Sequence, residues 1–184
     1  MVSKERLKGK NWYAITAPKL FGEKNIGEVL AVDSSLLVGR RIAVSLMLLT
    51  NDPTRYYMKL FFKVNKIEGT TARTIYDGHE CTRDYTSRIV QIRTGRIDTN
   101  NILQFTDGKM RVKTLTVSNR SLRTNVEKAV RRKINELTAK HAEGKTIEQF
   151  VESFVTGAMQ GAIRNEVTKI YPLRAFEIRM TKVL

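Results

Sequence analysis

A single cysteine, Cys81, stands among 184 residues. One thiol excludes an internal disulfide and any multi-thiolate metal site. Histidine is almost as scarce: His79 and His141 lie 62 residues apart. A zinc site assembled from His79, Glu80, Cys81 and Asp84 lacks a second soft ligand at ordinary spacing. A Cys-His nucleophile pair there has no orienting group. His141 suits the end of a helix, where a cation meets the negative end of the dipole. Asp77, Glu80 and Asp84 imitate the acidic cluster of a magnesium-dependent nuclease, but a turn aspartate and a helix-start aspartate account for two of them. No Walker-type phosphate loop, no GxGxxG and no GxSxG occurs. No apolar run approaches the ~20 residues of a bilayer span, and no charged-then-apolar leader opens the chain. The expectation is an intracellular, soluble protein with no catalytic residue, no metal and no cofactor.

Acidic side chains are also in short supply. The chain carries 33 Lys and Arg against 18 Asp and Glu, a formal charge of +15. Hydrophobic residues make up 41%, enough for a proper core at this length. Self-repulsion at such a charge opposes compaction unless a polyanion is near. The excess is local: residues 1–141 hold 27 basic and 13 acidic side chains, net +14, whereas 142–184 hold 6 and 5, net +1. The basic part meets the partner, and the end is a packing element.

Ser118–His141 concentrates this charge, with seven Lys or Arg against Glu127 and Glu136. Leu122, Val126, Ala129, Val130, Ile134 and Leu137 recur at three- and four-residue steps, the mark of an amphipathic helix. Arg120, Thr124, Lys128, Arg131 and Asn135 fall opposite that stripe. Arg123, Arg132 and Lys133 add to the charge, and two glutamates neutralise only part of it. A membrane surface would ask for bulkier apolar anchors than Val, Leu and Ile, so RNA is the expected polyanion and a membrane is not.

Residues 1–11 form a basic arm with Lys4, Arg6, Lys8 and Lys10 against Glu5. The sole tryptophan, Trp12, is expected to dock that arm on the core. Residues 12–184 are expected to be one domain, since no internal repeat or low-complexity linker divides them. Ala17-Pro18 and Asn25-Ile26-Gly27 read as turns around Phe21. Alternation over Arg41–Leu48 and over Met58–Asn65 predicts two strands, the second with Lys59 and Lys63 outward. Thr70–Tyr76 predicts a third, stopped by a turn at Asp77-Gly78. Thr82 opens a short helix to about Arg93. Ile97–Thr106 and Lys109–Val117 flank Asp107-Gly108 as a hairpin. Arg111 and Lys113 share one face, and the switch at Leu115 and Val117 predicts a bulge or a strand that changes its packing partner. Packing helices follow over 146–169, with Thr146 and Gln149 at capping-box spacing, a break near Thr156, and Gly157 and Gly161 placed for close approach. Phe176, Ile178 and Met180 predict a last strand. The fold class is α+β: a small, mostly antiparallel β-barrel of six or seven strands with flanking helices.

Lys10-Asn11-Trp12-Tyr13, Ala17-Pro18 with Phe21, Asn25-Ile26-Gly27, Val44-Ser45-Leu46 before Asn51-Asp52, Thr82-Arg83-Asp84, Thr106-Asp107-Gly108 and Ile170-Tyr171-Pro172-Leu173 occur in this order. In that ordered set the chain resembles the archaeal and eukaryotic small-subunit ribosomal proteins of the S3Ae (S1e) family, in the compact archaeal form. The resemblance implies a small β-barrel on the platform of the small subunit. It also implies a place near the 3′ end of the small-subunit rRNA and the mRNA exit channel, beside other platform proteins, in cytoplasmic ribosomes.

Charge and periodicity nominate the phosphate contacts: Lys4, Arg6, Lys8 and Lys10 of the arm, Lys59 and Lys63, Arg111 and Lys113, and Arg120, Arg123, Lys128, Arg131, Arg132 and Lys133 of the helix. Such contacts position RNA without reading its sequence. A free single-stranded RNA-binding barrel, acting as a chaperone or translation factor, is the competing class. It calls for an aromatic platform on one sheet face, which the alternation does not provide.

Overall fold

The computed structural model describes residues 9–184; Lys4, Arg6 and Lys8 lie outside the described residues. Among those described there are eight strands and five α-helices. They group into two compact units, the first ending at Asp77 and the second running Gly78–Leu184.

The first unit begins with β1 (Asn11–Thr16) antiparallel to β2 (Asn25–Ala31). The turn around Phe21 is present, as Ala17 N–H donates to the Lys24 carbonyl. Asn25-Ile26-Gly27 is part of β2, not a second turn. β3 (Arg41–Ser45) pairs antiparallel with β4 (Met58–Glu68). The alternation through Leu48 misleads here. Leu46–Thr50 is α1, burying Leu46 and Leu49 at helical spacing, and Asn51 ends it in the left-handed conformation with φ 56°. Phe21 packs edge-on against Phe62 at 5.6 Å, and Ile15, Val64 and Ala72 form a second apolar cluster. Burial of such side chains, about 1.5–3 kcal/mol each, is what holds this small unit.

β5 (Thr71–Cys81) runs straight through Asp77-Gly78 instead of turning there. Gly78 is explained by its neighbour: a Cβ at this position would overlap the Thr181 carbonyl oxygen and sit 3.2 Å from its carbon. Only glycine lets the two backbones come so close.

In the second unit α2 (Arg83–Ile89) follows β5, with Thr82 at the N-cap position but no side-chain cap bond. β6 (Gly95–Gln104) and β7 (Lys109–Ser118) form the expected hairpin. α3 (Thr124–Ala142) begins six residues later than Ser118, which is buried in β7. α4 (Ile147–Val155) starts with the expected capping box, Thr146 and Gln149 bonding reciprocally. α5 (Ala158–Thr168) follows the break, where Gly157 has φ 83°. Gly161 has no neighbour within 4 Å of a would-be Cβ, and Ala129, Ala158 and Ala162 are exposed, so those positions do not serve packing.

β8 (Leu173–Val183) then inserts between β5 and β7, antiparallel to both. The irregularity expected at Leu115 and Val117 is found on either side of them, as β7/β8 register shifts between Lys113 and Thr114 and between Val117 and Ser118. Pairing is antiparallel apart from a short parallel contact of β1 with β5. The sheet is not closed into a barrel. β2, β3 and β6 each pair on one side only among the described residues. Hairpin-linked strands suggested closure by neighbours in sequence. Instead the chain spends α3, α4 and α5 covering one sheet face and returns with β8 in the middle.

Candidate nucleic-acid interface

Successive strand residues point to opposite faces, so register sorts the side chains of the second unit. One face carries Thr99 and Leu103 of β6, Met110, Val112 and Thr114 of β7, and Thr181 of β8, all buried. Asn101, on this face, donates to Asn135 of α3 at 2.9 Å. Phe105, Phe150, Phe154 and His79 form a chain of ring contacts on the helix-covered side.

His79 belongs wholly to that core. Ile178 offers only a carbonyl, so Nε2 carries the proton and donates to it at 2.8 Å, and Nδ1 accepts from Thr181 Oγ1 at 2.8 Å. Burial holds the imidazole pKa down at about 4. Burial likewise pushes the Cys81 thiol well above its usual range. A neutral imidazole with both nitrogens engaged and an un-ionised thiol cannot act as a nucleophile pair. Asp77 is taken up by Arg41 at 2.6 Å.

On the opposite face Asn100, Ile102, Gln104, Lys109 and Lys182 are exposed, and Arg111 and Lys113 are half-buried. Asn100, Ile102 and Gln104 of β6 lie across from Lys113, Arg111 and Lys109 of β7. Arg111 in turn lies directly across from Lys182 of β8, and Lys113 from Met180. Like charges set opposite each other cost stability. Among the described residues Lys109, Arg111, Lys113 and Lys182 make no ion pair, and Arg111 Nε is buried without a hydrogen-bond partner. Glu80, opposite Met180, and Asp98, opposite Leu115 and paired with Arg96 at 2.8 Å, are acids on this face. α2 is tied through its first turn, where Tyr85 donates to Glu177 at 2.9 Å; Glu177 lies opposite the buried Leu115.

α3 buries Val130, Ile134, Thr138 and Ala142. Arg132 therefore lies on the outward side, and Lys128 lies one turn before it; both are exposed. Arg131, expected opposite the apolar stripe, is half-buried and paired with Glu127 at 2.6 Å. Glu136 takes both Lys133 and Lys140, at 3.2 and 3.0 Å. Arg120 and Arg123 are exposed in the segment before the helix.

In the first unit Lys59 and Lys63 are exposed on β4, opposite Ser45 and Arg41. The Arg41 guanidinium lies 4.0 Å over the Phe61 ring and covers it. Lys10 is exposed just before β1, and Tyr13 and Ile15 are buried within that strand.

Of the nominated residues, the second unit thus brings Arg111 and Lys113 together, and separately Lys128 and Arg132. The first group lies on the sheet face away from α3. Lys109 and Lys182 complete that face and went unnominated. Alternation beside Arg111 could have flagged Lys109; Lys182 is visible only in the β7/β8 register.

The model of the Ribosomal S3Ae family matches residues 2–184. Small ribosomal subunit protein eS1 of Sulfolobus acidocaldarius is 38% identical over 183 residues, covering 98% of this chain and 93% of that protein. The protein of the same name from Methanothermobacter thermautotrophicus is 36% identical over 178 residues, covering 96% and 91%. That of Methanobrevibacter smithii is 34% identical over 178 residues, covering 96% and 92%. A family match over residues 2–184, with relatives aligned over more than nine-tenths of their own length, has one reading: the chain belongs to the Ribosomal S3Ae family.

Proposed function

We propose that this protein is a structural component of the small ribosomal subunit, fastened to small-subunit rRNA through Lys and Arg contacts to phosphates. Its place is the platform, near the 3′ end of that RNA and the mRNA exit channel, with platform proteins as neighbours and messenger RNA passing close by. It works in cytoplasmic ribosomes and performs no catalysis. The observation that carries this reading is the unneutralised face of Lys109, Arg111, Lys113 and Lys182, in which Arg111 and Lys182 stand directly opposed. Such an arrangement is unfavourable alone and favourable once phosphates lie across it. Arg offers paired donors to a phosphate and Lys a point charge. The arm (Lys4, Arg6, Lys8, Lys10), Lys59 and Lys63, and the α3 region (Arg120, Arg123, Lys128, Arg131, Arg132, Lys133) extend the footprint.

The unneutralised face bears no aromatic side chain among the residues named, and Phe61 is covered by Arg41. Both facts favour phosphate contact over base stacking, and so the ribosomal component over a free single-strand binder. Sedimentation tests the choice. The protein should stay with small subunits through a high-salt cushion and yield rRNA crosslinks from position 111. Release into the free pool, with no such crosslink, would overturn the reading.

A further inference from the structure

We infer that the second unit holds two separate RNA segments, one on each side of its sheet, and so ties them together. The inference rests on the rRNA-binding reading above and adds the arrangement of the RNA. Asn101 reaches Asn135 of α3 on one face of β6. The next residue, Ile102, lies opposite Arg111 on the other face. The cations of that sheet face and those of α3 therefore look in opposite directions. Between them stand the sheet and the body of α3, itself about 10–12 Å across.

Each side has the same electrostatic character. On the sheet, Arg111 and Lys182 are unneutralised partners. On α3, Lys128 and Arg132 are spaced i,i+4, a like-charge pairing that weakens a helix. Glu136, one turn beyond Arg132, is occupied by Lys133 and Lys140. The acids on each side are few, and none of them pairs with Lys109, Arg111, Lys113 or Lys182 on the sheet or with Lys128 or Arg132 on α3 among the described residues. A stiff RNA helix touches one side of such a layer, so two charged sides imply two helices or two strands.

The test uses the full chain with two short RNA duplexes, one carrying a donor dye and one an acceptor. The wild-type protein should bring both into one complex, seen as energy transfer and as a two-duplex species by native mass spectrometry. Arg111→Gln/Lys113→Gln/Lys182→Gln and Lys128→Gln/Arg132→Gln should each lower bridging roughly tenfold or more, by removing phosphate contacts, while still binding one duplex. Arg111→Lys and Arg132→Lys, which keep the charge, should retain it, separating loss of charge from loss of fold. Bridging that survives both Gln variants overturns the inference, as does a wild-type protein that never takes a second duplex. In that last case weaker single-duplex binding by the sheet variant leaves the rRNA-binding reading standing; if neither variant changes any binding, that reading falls as well.

Discussion

Arg111 and Lys182 face each other across the β7/β8 ladder with no acid paired to either among the described residues. Directly opposed like charges cost about 0.2–1 kcal/mol. Lys182→Gln should therefore raise the urea midpoint of the free protein at low salt, and the gain should fade at high salt as screening takes over. The same variant should bind RNA more weakly and with a flatter salt dependence, by about 0.7–0.9 in log–log slope per lost phosphate contact. A variant less stable at low salt would show that the pair is not repulsive.

His79 gives the fold a pH limit. Its neutral form is held in the core, with the folded pKa near 4 against 6.5 for a free imidazole. Between those values the unfolded chain binds a proton that the folded chain refuses, so stability falls as pH falls from 6.5 toward 4 and is fully present above 6.5. The loss over that window is about 3 kcal/mol at most. Urea titrations at pH 7.5, 6, 5 and 4 should show the decline, and His79→Gln should remove the part above pH 5. A midpoint flat from pH 7 to 5 would place His79 in water.

Two glycines make opposite predictions. Gly78→Ala puts a methyl into the Thr181 carbonyl, and the β5/β8 ladder must move to admit it, at a cost of about 1–3 kcal/mol. Gly161 lies within α5 with open space beside it, so Gly161→Ala should gain up to about 1 kcal/mol from helix propensity. Thermal unfolding of both variants reads the difference in sign.

On α3, neighbouring cations should differ in use. Arg132 is exposed and free of ion pairs among the described residues, whereas Arg131 and Lys133 are held by Glu127 and Glu136. Arg132→Gln should reduce RNA affinity and incorporation into subunits more than Lys133→Gln. Equal effects would mean that the helix ion pairs open on binding.

Much of this could be read from the chain itself. β4, the β6–β7 hairpin with its later irregularity, the capping box of α4 and the alternation of β8 follow local rules, and those rules held. α1 escaped because Leu46 and Leu49 fit a three-residue step as well as Leu46 and Leu48 fit a two-residue one, and only burial chooses. Asp77-Gly78 looked like a turn because the reason for the glycine, Thr181, lies about a hundred residues further on. Closure into a barrel failed for the same kind of reason: where β8 inserts is a tertiary fact. For the candidate site, alternation put Arg111 and Lys113 on one face, as the register does. It could not find Lys182, whose position opposite them depends on register.

β6 has consequences for the protein before it meets RNA. Its outer edge is unpaired among the described residues, and ten residues of bare backbone invite a strand from another copy. Arg96 and Asp98 guard one end through their 2.8 Å ion pair, while Ile102 stands 58% exposed near the other. Newly made chains should therefore stick to one another first at Ile102, with their shared positive charge as the main deterrent. A rise in salt that weakens that repulsion should bring on aggregation, and Ile102→Lys should delay it.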